Sequence, residues 1–220
     1  MATKFIVEDL GKCSYSDALV IQEDHFYGAI KAKQSRETSL HPNRLILVEH
    51  DPVYTLGKSG DFQNLKVDPV TVGATFFKTS RGGDITYHGP GQIVAYPIFD
   101  LERFEIGLAQ YIWNLEEAVL RVISKYGLKG ERIEEASGVW LDADQDSVRK
   151  ICAIGVKASR YVTMHGLAFN VNTDLSYFEH IIPCGIDDKD VTSMAKELGK
   201  EVDFDIVKTL LVEEFEAVFT

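Results

Sequence analysis

The sequence contains few cysteines and no long apolar run. Its three cysteines, at positions 13, 152 and 184, lack the spacing of paired metal ligands, so we expect thiols rather than a zinc site or a disulfide framework. No stretch approaches the roughly 18 to 20 apolar residues of a membrane span. The first nine residues have no apolar core typical of a secretory signal. We therefore expect a cytoplasmic protein that does not cross a membrane.

Positive charge is also scarce. The formal net charge is −11, which argues against nucleic acid as the main partner, because such binding needs clustered Lys and Arg to replace phosphate counterions. One basic run contains Arg149, Lys150, Lys157 and Arg160, just after an acidic stretch from 142 to 146. This run is either a local patch for an acidic partner or a solvated face of mixed charge.

Nucleotide-binding motifs are absent, but one segment is rich in glycine. Neither a GxGxxG pattern nor a phosphate loop ending in Gly-Lys-Ser/Thr occurs, so we expect no nucleotide cofactor. Residues 81–92, in contrast, carry four glycines around Arg81 and His88. Glycine lets backbone approach a ligand closely, which favours a binding wall. The alternative is a turn that only connects two strands.

Hydrophobic periodicity predicts an α+β fold with strands grouped between helices. Helices are predicted over residues 15–35, 108–126 and 204–219, with Ser14 and Asp203 as caps of the first and last. Strands are predicted over residues 45–48, 75–78, 93–98, 138–141, 150–157 and 166–171, with a loop after the first strand through about residue 70. Because strands and helices do not alternate, we expect a mixed β-sheet packed with helices, forming a single domain over residues 1–220.

Cys184 lies between proline and glycine in the sequence Pro183-Cys184-Gly185. This setting holds a thiol on a turn, whereas Cys152 lies inside an apolar run typical of a buried cysteine. A single loop cysteine is more often inert than catalytic, unless a basic neighbour lowers its pKa from about 8.5. Lys150, His88 and His165 are the candidate neighbours, although each taken alone is typical of a structural or surface residue.

Together these segments resemble the lipoyl(octanoyl) transferases, which begin protein lipoylation by transferring an octanoyl group. The resemblance covers most of the chain, and the motifs occur in the family's order. Lys150 precedes Cys184 by 34 residues, as in that family. The matching segments are residues 49–57, 81–92, 150–155, 165–170 and 183–185.

The resemblance implies the roles of individual residues. Cys184 would form an acyl thioester, and Lys150 would activate its thiol. His88 and His165 would line the acyl pocket, and amides near Cys184 or at Gly82 and Gly83 are candidates to stabilise an oxyanion. The implied substrate-binding residues are Arg81, Gly82, Gly83, Asp84, Ile85, Thr86, Tyr87, His88, Ala153, Ile154, Gly155, His165, Gly166, Leu167 and Ala168.

The resemblance also implies a fold and partners. The fold would be similar to the catalytic domain of biotin and lipoate protein ligases, and the reaction would need no metal or cofactor. The donor would be octanoyl-acyl carrier protein. The acceptors would be lipoyl domains of 2-oxoacid dehydrogenase complexes and the glycine cleavage H protein, in the first step of endogenous lipoate biosynthesis.

Three other functions share parts of this pattern. An ATP-dependent lipoate or biotin ligase would have the same fold but would need no nucleophilic cysteine. A thioesterase would use the same cysteine with water as the acceptor. A non-catalytic module would only bind an acyl group or its carrier.

Overall fold

A computed structural model describes residues 4–35, 41–134, 136–182 and 190–219 of the chain. Within these ranges, four α-helices accompany strands in two sheets. The helices are α1 (Tyr15–Ser35), α2 (Leu108–Ser124), α3 (Met194–Leu198) and α4 (Phe204–Val218). The strands are β1 (Ile6–Lys12), β2 (Arg44–Glu49), β3 (Val53–Leu56), β4 (Thr75–Lys78), β5 (Ile85–His88), β6 (Gln92–Ile98), β7 (Gly130–Ile133), β8 (Ala136–Leu141), β9 (Arg149–Ser159), β10 (Val162–Asn170) and β11 (Asp190–Val191).

The larger sheet is mixed and runs β1-β2-β6-β10-β9-β8-β7, with β11 alongside β9. The β1–β2 and β11–β9 pairs are parallel, and the other pairs are antiparallel. The smaller sheet has the order β4-β3-β5, with β3 parallel to β4 and antiparallel to β5. The predicted mixed sheet packed with helices is confirmed.

Helices cover both faces of the larger sheet, which explains its continuous apolar strands. In β2, Leu45 and Leu47 pack towards α2 and α4, whereas Ile46 and Val48 pack towards α1. Successive side chains of a strand point to opposite faces, so a strand that is buried on both faces needs an unbroken apolar run. Strand β6 follows the same pattern.

Local signals set the ends of the helices. Ser14 Oγ accepts a hydrogen bond from the Asp17 amide (3.1 Å), and Asp203 accepts one from the Ile206 amide (3.1 Å), so both predicted caps are confirmed. After α2 the chain turns at Gly127, which adopts a positive φ of 78° that suits glycine. Among the described residues, no helix is long and apolar enough to cross a membrane.

Some predictions of local structure were wrong. The predicted loop through residue 70 contains strand β3, and the glycine-rich segment, expected to be a loop between strands, contains strand β5. Strands β1 and β7 and the short helix α3 were also missed. Both β1 and β7 lie at edges of the larger sheet and are partly exposed, so their sequences lack the apolar pattern that reveals a buried strand.

Candidate active site

A pocket of about 80 Å³ lies where the smaller sheet meets strands β9 and β10 of the larger one. We call it the central pocket. Its wall combines apolar side chains with buried histidines and the cationic Arg81 and Lys150. It is lined by Tyr15, Arg81, Gly83, Asp84, Ile85, Thr86, His88, Gln92, Val94, Tyr96, Lys150, Ala153, Ile154, Gly155, His165, Gly166, Leu167, Ala168, Asn170, Phe178 and Val191.

Three sequence segments meet in this pocket because the glycine-rich segment docks on β9 next to β10. Gly155 of β9 is the register partner of Gly166 in β10. The Gly82 amide donates to Val156 O (2.8 Å), which docks the glycine-rich segment on β9. A Cβ on Gly155 would lie 3.0 Å from Gly82 O and 3.1 Å from Arg81 Cδ, so glycine permits this close approach.

Thr55 of β3 holds the Arg81 guanidinium against the smaller sheet. Arg81 Nη2 donates to Thr55 O and to Thr55 Oγ1 (2.9 Å), and Arg81 Nε donates to the same hydroxyl (3.3 Å). Arg81 Nη1 donates to Gly82 O (3.0 Å). Only 8% of Arg81 is exposed, so these oxygens stabilise a buried cation whose direction is fixed.

Hydrogen bonds also fix the tautomer of His88. Gln92 Nε2 donates to Tyr87 O (3.2 Å) and to Asn170 Oδ1 (2.9 Å), so Gln92 Oε1 must accept from His88 Nδ1 (2.9 Å). His88 Nε2 then accepts from the Thr55 hydroxyl (3.2 Å).

Burial, reinforced by the charges of His50 and Arg81, lowers the pKa of His88 to about 3. His88 is therefore neutral with both ring nitrogens engaged, which argues against a role as the base for a thiol.

This hydrogen-bond chain continues to strand β9. Asn170 Nδ2 donates to Thr192 O (3.0 Å), and the Thr192 amide donates to Lys150 O (2.9 Å). The Thr192 hydroxyl donates to Glu197, which forms an ion pair with Arg149. Buried amide side chains thus connect the floor of the central pocket to the backbone that carries Lys150.

His165 has unusual backbone geometry and an unsatisfied ring nitrogen. Its φ is 56°, a left-handed conformation that is uncommon outside glycine, and its amide donates to Gln22 Oε1 (3.1 Å). The buried Nε2 atom has no hydrogen-bond partner among the residues that the structure describes. Burial, followed by the charges of Arg81 and Lys157, lowers the pKa of His165 to about 3. A neutral imidazole in the wall of the pocket can therefore take a ligand atom as its partner.

Lys150 lies on β9 with its ammonium over an aromatic ring. Lys150 Nζ is 4.3 Å from the centre of the Trp140 ring and donates a long hydrogen bond to Ser137 O (3.5 Å). Trp140 Nε1 donates to Ala136 O (2.9 Å), which fixes the ring plane. A cation over an indole face is stabilised electrostatically, and the contact holds the ammonium at the edge of the pocket.

Two of the three cysteines lie among the described residues, and the pKa of each of their thiols is raised. Cys152 is fully buried, and burial raises the pKa of its thiol well above the ordinary range, so it is unreactive. Cys13 is partly buried, and burial together with the charge of Asp17 also raises its pKa. The predicted nucleophile Cys184 lies outside the described residues.

The structure brings most of the predicted site residues into the central pocket. Of the described ones, the exceptions are Gly82, whose amide docks on β9, and Tyr87, whose ring stacks on Tyr177 (4.6 Å) in the core of the smaller sheet. No group of His, Cys, Asp and Glu close enough to hold a metal ion occurs in the described part of the chain. Sequence reasoning missed the lining residues Tyr15, Gln92, Val94, Tyr96, Asn170, Phe178 and Val191.

A signal for two of these residues was present in the sequence. Gln92 begins β6, which is otherwise apolar, and Asn170 ends β10, which is buried along its whole length. An amide in a buried strand must be hydrogen-bonded, so such a residue is a candidate for a polar network at a site. Tyr15 and Tyr96 carried no such signal, because aromatic residues are ordinary in a core.

Comparisons with known proteins agree with this arrangement. The lipoyl protein ligase A/B catalytic domain matches residues 24–216. An octanoyltransferase from Parabacteroides distasonis is 52% identical over 219 residues, which cover 98% of each chain.

Solved structures share the fold at low sequence identity. A bipartite lipoate protein ligase from Thermoplasma acidophilum, studied with its E2 lipoyl domain, has a TM-score of 0.73 at 15% identity, over 99% of this chain and 84% of that one. The biotin protein ligase of Aquifex aeolicus has a TM-score of 0.52 at 14% identity, over 99% of this chain and 69% of that one. These likenesses confirm the expected fold. The chain belongs to the lipoyl protein ligase A/B catalytic-domain family, and its full-length likeness places it among the octanoyltransferases of that family.

Proposed function

We propose that this protein transfers an octanoyl group from acyl carrier protein to a lysine of a lipoyl domain through a thioester on Cys184. The observation that carries the proposal is the convergence of residues 81–88, 153–155 and 166–168 on one pocket with Lys150 at its edge. These segments are far apart in the sequence, yet they build a single partly apolar cavity. An acyl chain needs such a cavity, with a few polar groups to orient its reactive end.

The proposed reaction has two steps. The Cys184 thiolate attacks the octanoyl thioester of the donor, forming the enzyme thioester and releasing the carrier's thiol, which takes up one proton. The amine of the acceptor lysine then attacks the enzyme thioester, forming an amide and releasing Cys184 as the thiolate, while the proton that the amine loses passes to Lys150. Division into two acyl transfers lets each protein partner bind in turn.

Lys150 is the proposed activator of Cys184. As an ammonium it stabilises the thiolate and then gives its proton to the thiol that leaves with the carrier. As the resulting amine it accepts the proton that the acceptor lysine loses. Both ring nitrogens of His88 are already engaged, which favours Lys150 over His88 for this role. The Gly82 amide donates to Val156 O, so we leave it out of the candidates for oxyanion stabilisation.

Intact-mass spectrometry tests the proposal directly. Incubation with octanoyl-acyl carrier protein is expected to add one octanoyl group to the wild type. The adduct is expected to disappear on hydroxylamine treatment, and Cys184→Ser is expected to lose this hydroxylamine-sensitive adduct. Cys13→Ser is the matched control and is expected to keep it. A wild-type protein that never becomes acylated by the carrier contradicts the proposed route.

A second assay tests the role of Lys150. We expect Lys150→Ala to lose at least about 100-fold in acylation rate, as for removal of a general acid–base group, while its thermal melt stays cooperative. Alkylation of Cys184, followed by mass spectrometry of its peptide, is expected to need higher pH in this variant. An unchanged pH profile would remove Lys150 from the role of thiol activator.

The same assays separate the rival functions. A lipoate or biotin ligase would require ATP and free acid, whereas we expect transfer from the acyl carrier to proceed without ATP. A thioesterase would release free octanoate at the same rate with and without a lipoyl domain. A binding module would hold the acyl carrier without turnover.

A further inference from the structure

A buried glutamate lies behind the peptide bond that contacts Lys150. Glu116, in the middle of α2, is only 7% exposed. Its Oε1 atom accepts from the Gly138 amide (3.0 Å), and its Oε2 atom accepts from Arg132 Nε (3.1 Å). Both carboxylate oxygens are therefore engaged, one by β7 and one by β8.

The Gly138 amide belongs to the same peptide unit as the Ser137 carbonyl. A trans peptide directs its N–H and its C=O to opposite sides. With the N–H held by Glu116, the Ser137 carbonyl faces the other way, where it accepts from Lys150 Nζ (3.5 Å). Glu116 thus reaches Lys150 through a single rigid peptide unit.

Gly138 has a backbone conformation that suits glycine. Its φ is 135°, which residues with a Cβ atom rarely adopt. A Cβ at this position would lie 2.5 Å from Cys152 O and 3.4 Å from Lys150 Cε. The stem of Lys150 therefore packs on the bare backbone of Gly138, while its ammonium lies over Trp140.

Arg132 completes the arrangement on the side away from Lys150. Its guanidinium stacks over the Trp113 ring (4.3 Å), and its Nη2 atom donates to Glu117 Oε2 (2.6 Å). Arg132 would thus keep a carboxylate partner if Glu116 were replaced. Glu117 shares this partner with Glu116, but the carboxylate–amide contact to Gly138 belongs to Glu116.

We infer that Glu116 is a positioning residue for acyl transfer, which acts through the Ser137–Gly138 peptide to direct the Lys150 ammonium. This inference rests on the proposed role of Lys150. Without the carboxylate, the Gly138 amide has to find another acceptor, and the peptide rotates away from its present plane. The Ser137 carbonyl then no longer restrains Lys150 Nζ, and the ammonium shifts from its present position over the Trp140 ring.

The test compares Glu116→Leu with Glu117→Gln in the full-length protein. We expect Glu116→Leu to slow Cys184 acylation by octanoyl-acyl carrier protein about 10- to 100-fold, the scale of a 1 Å misplacement of a reacting group. Its alkylation profile is expected to shift to higher pH, in the same direction as that of Lys150→Ala. Glu116→Gln keeps an oxygen that can accept from Gly138, and is expected to restore most of the rate. Glu117→Gln is the matched control and is expected to leave the profile in place.

A double variant distinguishes action through Lys150 from a general loss of structure. In the Lys150→Ala background, Glu116→Leu is expected to change the remaining rate by less than about twofold, because coupled residues are not additive. Equal losses in both backgrounds would overturn the inference. If Lys150→Ala itself leaves alkylation unchanged, the proposed function of Lys150 fails instead. Glu116→Ala, which leaves room for a water at the Gly138 amide, replaces Glu116→Leu if the latter does not melt cooperatively, and the same outcomes decide.

Discussion

Replacement of Thr55 by valine tests whether the pocket wall depends on one buried hydroxyl. Thr55 is fully buried, and its Oγ1 atom contacts both the Arg81 guanidinium and His88 Nε2. Valine keeps the shape of the side chain but can neither accept from Arg81 nor donate to His88. Arg81 keeps its hydrogen bonds to the backbone oxygens of residues 55 and 82, so the guanidinium loses some of its hydrogen-bond acceptors but not all of them.

The expected cost follows from these contacts. A hydrogen bond to a charged group contributes about 1.5–3 kcal/mol, and a buried acceptor left without a donor costs about 1–3 kcal/mol. Allowing for relaxation, we expect Thr55→Val to lower the free energy of unfolding by about 3 kcal/mol. For a chain of this size that corresponds to a fall in Tm of about 6–12 °C.

Thermal denaturation measures this effect, with Thr55→Ser as the matched control. Serine keeps the hydroxyl and loses one methyl group, so its cost is about 1 kcal/mol. Nitrogen NMR of the His88 ring adds a local measurement, since the wild type is expected to show the Nδ1–H tautomer with a hydrogen-bonded Nε2. If Thr55→Val melts within about 2 °C of Thr55→Ser, the hydroxyl does not stabilise the wall as argued.

Three further predictions concern acid, packing and thiols. His88 and His165 have pKa values of about 3 when folded and about 6.5 when unfolded, so the unfolded chain binds more protons and stability falls as pH falls below 6.5. In urea titrations from pH 6.5 to 5, these two imidazoles are expected to contribute a slope of up to about 2.7 kcal/mol per pH unit, and His165→Asn is expected to remove about half of this contribution; a flat profile would contradict this. Gly166→Ala is expected to lower Tm, because its Cβ would overlap Ala95 O and lie 2.7 Å from Pro97 Cδ. If this variant has the same Tm as the wild type, β6 can move to make room for the added methyl group. Cys152→Ala is expected to keep the acyl adduct in intact-mass spectra, and loss of the adduct with the fold intact would move the proposed nucleophile to Cys152.

The elements that could be predicted from the sequence are those with a clear local pattern of apolar residues or a capping residue. The helices at residues 15–35 and 204–219 have periodic apolar faces and side-chain caps, and both are present with nearly the predicted bounds. Strand β2 is an unbroken apolar run and was also predicted. Strands β3 and β5 were missed, since each has four residues with polar members, and they are stable because they pair with each other.

The candidate site divides in the same way. Its glycine-rich and histidine-bearing segments were recognisable as motifs, so most of the lining residues were named in advance. The contacts between segments were not, since the engagement of His88 by Thr55 and Gln92 depends on a long-range fold. The same holds for Glu116, which is one of two adjacent acids on an amphipathic helix, and only the structure shows that its oxygens contact β7 and β8.

The opposed glycines of β9 and β10 have a consequence for the evolution of this site. The glycine-rich wall docks on β9 through the Gly82 amide and Val156 O, at a close approach that Gly155 permits, so this contact does not involve the apolar side chains that line the pocket. Substitutions at Ile85, Ile154 or Leu167 can therefore alter the size of the cavity while the wall stays where it is. Acyl-chain preference is thus free to diverge in this scaffold without rebuilding the part that carries Lys150.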